Sequence, residues 1–282
     1  LQRLARHYLT FTLSAVQPDG SCHNRMSTDG VWNDVASVGD WWGRALWGLG
    51  VAATNAPTQA MRASALLGFR TAAQLRSPHR RAMAFAALGA GELLLRRPGE
   101  PSAEGLLHDA VTAIGVVGSD PAWPWPEPRL TYANGSVAEA LLLAGAALRD
   151  PAVHALGLRL LKFLLLVETR DGHLSVTPVG GRGPCEPGPG FDQQPIEVAA
   201  LADACARAYE TTGDQQWLGG VRLAWAWFAG DNDSEALMFD PSTGGGFDGL
   251  QRHGHNLNQG AESTLALLST IQHAKRLDVL AP

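Results

Sequence analysis

The sequence predicts an all-α protein, an (α/α) toroid of helical hairpins related to an (α/α)6 barrel. Three observations predict it. Apolar residues recur at three- and four-residue spacing, with few runs of β-branched residues. The connections between the predicted helices alternate between long and short. The even-numbered helices are rich in small residues, as in 84–91, 138–147 and 199–206, whereas the odd-numbered ones carry bulkier or more charged sets such as 217–228. Small side chains let helices crowd together, so the second group wraps the first as an outer ring around an inner one.

Taken in order, the spacing predicts helices at 1–16, 38–54, 58–76, 79–96, 102–117, 135–149, 151–168, 195–212, 214–229 and 260–275, and a short extended piece at 173–177. Long connections span 17–38, 118–134, 169–194 and 230–259. Each follows an odd-numbered helix, and short links follow the even ones. The short link near Ser77 and Pro78 is the exception. Antiparallel helices put alternate connections at opposite ends, so the long loops are expected on one face. Loops of that length without regular structure are usually functional. Five hairpins are visible where a complete ring has six, so either a pair is concealed or the toroid is incomplete.

Length and composition set the remaining bounds. The chain has 282 residues, read as one domain over 1–282, with 45% apolar and 17% charged residues, which excludes a disordered tail. The net charge of −5 argues against a nucleic-acid partner. Lys162 and Lys275 are the only lysines, a bias that fits a GC-rich genome. Cys22, Cys185 and Cys205 form an odd set, which points to a reducing, cytoplasmic setting. No apolar run is long enough to cross a membrane. The chain opens on Leu1, consistent with processing or with a piece of a longer polypeptide.

The starts of the even helices share a vocabulary of carboxylates, amides and aromatics. They read Gly39-Asp40-Trp41-Trp42-Gly43-Arg44, Ser77-Pro78-His79-Arg80, Leu130-Thr131-Tyr132-Ala133-Asn134, Phe191-Asp192-Gln193-Gln194-Pro195-Ile196-Glu197 and His255-Asn256-Leu257-Asn258-Gln259-Gly260-Ala261-Glu262. A sugar needs planar amides and carboxylates for its hydroxyls and aromatic faces for its C–H patches. Trp32, Trp41, Trp42, Trp123 and Trp125 fall on or beside this face, five of nine tryptophans, where burial alone would spread them along helices.

Five pieces in this order resemble the six-hairpin glycosidase-like superfamily, and more closely the helical domains attached to bacterial glycosyltransferases. They are Asp40-x-x-x-Arg44-Ala-Leu-Trp-Gly-Leu-Gly50, Ser77-Pro78, Leu130-Thr-Tyr-x-Asn134, Phe191-Asp-Gln-Gln-Pro-Ile-Glu197 and Asn256-x-Asn-x-Gly-Ala-Glu-Ser-Thr264. The resemblance covers 39–264. It implies a carbohydrate-linked role, a saccharide ligand, a glycosyltransferase as partner and a lean towards inverting chemistry.

Each candidate has a structural reading beside the functional one. Ser136-x-x-Glu139 is a capping box in form. Glu197 and Glu262 sit in first helical turns, where an acid favours the helix dipole. Asp40 is a potential N-cap, with Arg44 one turn on, and Asp192 is another. Of Trp41 and Trp42, one should face a pocket and the other the core. Trp123-Pro-Trp125 presents aromatics from a rigid loop or packs beneath it. Gly244-Gly-Gly-Phe-Asp-Gly249 reads as a close backbone approach and adds Asp248.

No metal or other cofactor is expected. His253-x-His255 with Cys22-His23 or Cys185 fits no zinc pattern. Asp231-Asn-Asp233-x-Glu235 lacks the grammar of a calcium loop. Phosphate-loop and Gly-x-Ser-x-Gly motifs are absent. The expectation is therefore a glycoside hydrolase-like enzyme with a carboxylate pair drawn from Asp40, Asp192, Glu197 and Glu262. Its saccharide would meet Trp41, Trp42, Arg44, Trp123, Trp125, Tyr132, Asn134, Gln193, Gln194, Asp248, His255, Asn256 and Asn258. The alternative is a non-catalytic saccharide-binding or accessory domain working beside a glycosyltransferase.

Overall fold

The computed structural model describes residues 2–115 and 120–280. Ten helices occur among them: α1 (Gln2–Ala15), α2 (Asp40–Asn55), α3 (Gln59–Ala72), α4 (Arg80–Arg96), α5 (Pro101–Ile114), α6 (Asn134–Leu148), α7 (Pro151–Val167), α8 (Pro195–Thr212), α9 (Gln216–Phe228) and α10 (Ala261–Arg276). Two hairpins of two-residue strands join them. Thr169–Arg170 (β1) pairs with His173–Leu174 (β2), and Leu250–Gln251 (β3) with Gly254–His255 (β4), both antiparallel. The end of the predicted helix 102–117 and the start of the loop 118–134 lie outside the described residues, as does Leu1.

The helix ends follow local chemistry. Thr58 accepts from the Met61 N–H at 3.2 Å and starts α3. Asp150 accepts from the N–H groups of Ala152 and Val153 and starts α7. Pro101 and Pro195 occupy first positions, where a missing N–H costs nothing. Gly213, at φ 70°, closes α8. α3 stops at Ala72 rather than at 76 because its end is taken by side chains. The Trp42 indole N–H donates to the Ala72 carbonyl at 3.1 Å, and Arg76 Nη1 donates to the carbonyls of Ala73 and Leu75.

The chain divides into two compact units, 1–116 with 143–155 and 117–142 with 156–282. In the first, α2 packs on α4 with their backbones nearly touching. A Cβ on Gly43 would lie 2.2 Å from the Ala82 carbonyl oxygen, and one on Gly50 would lie 2.1 Å from that of Gly89. Arg70 joins α3 to the start of α5 through both oxygens of Glu100, at 3.0 and 2.7 Å. In the second unit, a Cβ on Gly135 would lie 2.2 Å from the Ala200 carbonyl oxygen, so α6 approaches α8 just as closely.

Burial bears out the division of labour. α4, α6 and α8 are buried almost all round, through runs such as Ala82 to Ala87 and Val198 to Ala202. α3, α5, α7 and α9 bury one face. α2 and α10, the first and last of the small-residue helices, bury only a stripe. No helix among the described residues is long and apolar enough to cross a membrane.

Candidate functional site

The second unit brings together the starts of α6, α8 and α10. Glu197, in the first turn of α8, reaches to α6. Its Oε1 accepts from the Ala133 N–H, and its Oε2 accepts from the Asn134 N–H at 3.2 Å and from Asn134 Nδ2 at 3.0 Å. Ala133 holds φ at 46°, which turns its N–H and the next towards the carboxylate. The start of α6 is therefore capped by another helix. The capping box expected at Ser136 and Glu139 does not form. Ser136 lies inside α6, and Glu139 pairs instead with Arg207 of α8 at 3.5 Å.

The start of α8 is tied to the loop before α10. Gln193 exchanges backbone hydrogen bonds with Leu250, at 3.0 and 2.8 Å. Its side chain is held at both ends. Nε2 donates to Asp233 Oδ2 at 2.6 Å and to the Gly190 carbonyl at 3.1 Å, while Oε1 accepts from the Trp227 indole at 3.2 Å. The other Asp233 oxygen lies 3.1 Å from His173 Nε2. Asp248 closes this end by accepting from the Gly260 N–H and the Ser263 hydroxyl, both at 2.7 Å, and so caps α10.

What remains accessible stands on this frame. Asp192 is half-buried, and its carboxylate has no hydrogen bond or ion pair among the described residues. It sits against Gly249, where a Cβ would lie 3.6 Å from that of Asp192. The Gly249 carbonyl in turn accepts from the Asn256 N–H at 2.8 Å. Arg252 lies over the Phe191 ring, 5.2 Å from its centroid. His255 stacks on Phe247 at 3.7 Å. Tyr132, Asn258 and Glu262 are exposed, and Gln194 is half-buried at the N-cap of α8.

Several expected ligand contacts take structural roles instead. Trp42, Trp125, Asn134 and Gln193 have at most 1% of their surface exposed, so none offers a face to a sugar. Trp125 packs near Phe163. Glu197 is likewise buried and carries the cap described above. Asp248 is committed to α10. In the first unit, the Trp41 indole donates to the Cys22 carbonyl at 2.8 Å and pins the loop 17–38. Of the pair, Trp42 takes the core, as expected for one of the two. Arg44 lies over Phe85 at 4.6 Å. Asp40 is half-buried as the first residue of α2. Trp123 lines a cavity separate from the starts of α8 and α10.

Sequence reasoning missed His173, Asp233 and Glu168. Glu168 is fully buried beside Arg182, and burial pushes its carboxyl above the usual range against the pull of the Thr177 hydroxyl and the Arg182 charge. No motif announces it. Only the fold, which closes β1–β2 over the end of α7, removes it from water.

Compared with known proteins, the sequence matches no family model and no curated protein. The structure does find neighbours. A sugar epimerase from a ruminal bacterium aligns over 90% of this chain and 76% of its own, with TM-score 0.65 and 13% identity. An unsaturated glucuronyl hydrolase specific for heparin aligns over 81% of this chain and 66% of its own, with TM-score 0.56 and 15% identity. The chain thus spans about two thirds to three quarters of the length of these two structures. At such identities the likeness speaks of fold alone, and the fold is an α/α hairpin toroid.

Proposed function

We propose that the protein is carbohydrate-active and that its saccharide site lies at the starts of α8 and α10. The observation that carries this reading is Asp192, a half-buried carboxylate with no partner among the described residues, set against Gly249 and next in the chain to Phe191, over whose ring Arg252 lies. An uncommitted acceptor beside a ring face suits the hydroxyls and C–H patches of a sugar. Two carbohydrate-processing neighbours of the same fold support the substrate class.

The finer reading is hydrolysis. Asp192 would act as base or nucleophile, and Glu262 would supply the second carboxyl group. Incubation with a panel of neutral and acidic oligosaccharides tests it. A new reducing end marks hydrolysis, whereas a changed sugar of unchanged mass marks isomerisation or epimerisation.

One observation favours a second reading, a saccharide-binding module acting beside a glycosyltransferase. Glu197, the most buried of the expected catalytic acids, already accepts three N–H donors, which leaves it unsuited to proton transfer. Saccharide binding without turnover across the panel would select this reading.

A further inference from the structure

A cavity of about 560 Å³ opens in the second unit between the end of α7 and the segment 182–188. That volume suits a sugar-sized ligand. Trp123 and Phe163 meet edge to face at 5.2 Å and form its apolar side. The opposite side is a cradle at Gly188. A Cβ placed there would find Arg182 Nη2 at 3.5 Å, Ser175 Oγ at 3.8 Å and Arg170 Nη1 at 3.9 Å, three polar heads around one point.

The cradle is built and its donors are incompletely used. Ser175 is 2% exposed, and its hydroxyl has no hydrogen-bond partner among the described residues. A buried hydroxyl without a partner costs stability, so it marks a place where one is expected. Arg182 is held in place by donating to the carbonyls of Val167 at 2.8 Å and Ser175 at 3.0 Å. Arg170 donates to the Gly188 carbonyl and to Asp171 at 3.2 Å.

The neighbouring acids are occupied. Glu186 is bound by both terminal nitrogens of Arg129 and by the Gly183 N–H. Asp120 accepts from the Ala122 N–H. Glu168 and Glu186 both lie near Arg182, and each is engaged elsewhere, Glu168 by the Thr177 hydroxyl and Glu186 by Arg129.

We infer that this cavity binds a sugar ring bearing a carboxylate or a sulfate, with the anion in the Gly188 cradle and the ring against Trp123 and Phe163. Two guanidinium groups and a hydroxyl suit a group that only accepts hydrogen bonds. The ring is chosen on the strength of the saccharide reading above. The cradle itself stands on its own geometry.

Calorimetry on the full chain with glucuronate, glucose 6-sulfate, glucose and inorganic sulfate tests the inference. Either acidic sugar should bind about tenfold or more tightly than glucose, on the scale of one charge-assisted hydrogen bond. Which of the two binds tells carboxylate from sulfate. Gly188→Ala fills the cradle with a methyl group at ordinary contact distance and should lower that affinity about tenfold or more while the melting temperature holds. Ser175→Ala should act in the same direction.

A second readout needs no variant. Cys22 and Cys205 are buried, and burial pushes both thiols up to about 12, whereas Cys185 is exposed at this cavity. A bound acidic sugar should slow modification of Cys185. Equal binding of glucose and both acidic sugars, sulfate binding as tight as glucose 6-sulfate, or full affinity in Gly188→Ala would each overturn the inference. If neutral saccharides still bind and depend on Asp192, the saccharide reading survives that failure.

Discussion

Glu197 closes the N-terminus of α6 through Asn134, taking its backbone N–H at 3.2 Å and its side-chain Nδ2 at 3.0 Å. A carboxylate from one helix thereby supplies the cap of another. The first four N–H groups of a helix need partners, and at this end a capping side chain would ordinarily come from the chain just before the helix. Here Ala133 occupies that position and offers none.

Glu197→Ala should cost about 3 kcal/mol or more, because it leaves several buried donors without an acceptor. Glu197→Gln should cost about 1–3 kcal/mol, since an amide keeps one acceptor and places a donor against donors. Urea unfolding measures both. A Gln variant that keeps full stability yet loses all activity on saccharides would assign Glu197 a chemical role instead.

Gln193→Leu should lower stability by about 2 kcal/mol or more. It strips Asp233 of its 2.6 Å donor and the buried Trp227 indole of its acceptor. Thermal unfolding checks this. An unchanged melting temperature would mean that the network contributes nothing to the start of α8.

The close contact of α2 with α4 should tolerate no added carbon. Gly89→Ala would set a Cβ 2.2 Å from the Leu46 carbonyl oxygen, which only a shift of the helices can relieve. The expected loss is about 1–3 kcal/mol or more. Gly48→Ala in the same helix pair meets nothing within 4 Å and should be neutral or slightly stabilising, so it serves as the control.

Glu168 links stability to pH. Its carboxyl is raised in the folded protein, so folding binds a proton as pH rises past the unfolded value of 4.5. Stability contributed by this group is full at low pH. It falls through the window between 4.5 and the raised value, and the loss persists above it. Glu168→Gln should therefore gain on the parent with rising pH through that window and then level off. A difference that stays flat from pH 4 to 7 would mean that Arg182 keeps Glu168 ionised.

Much of the fold was legible because helical periodicity is local. All ten predicted helices are present, with ends moved by a few residues where side chains took the terminal carbonyls, as Trp42 and Arg76 do at α3. The crowding of α2, α4, α6 and α8 was also legible, since small residues at Gly43, Gly50, Gly89 and Gly135 permit little else. The site was less so. A string such as Phe191-Asp-Gln-Gln-Pro-Ile-Glu197 tells that polar groups cluster, but not which of them turns inward. In the fold Asp192 stays half-exposed, Gln193 is buried between Asp233 and Trp227, and Glu197 is buried against α6. Those fates depend on partners about 35 to 65 residues away in sequence, beyond the reach of any local pattern.

The central claim is tested most directly by saccharide binding to the parent and to Asp192→Asn, side by side. The substitution keeps shape and touches no hydrogen bond of the described residues, so stability should change by no more than about 0.5 kcal/mol. We expect the parent to bind a member of a saccharide panel and the variant to lose about tenfold or more in affinity, or about 100-fold in turnover where turnover occurs. No binding by the parent, or equal binding and turnover by the variant, would contradict the account.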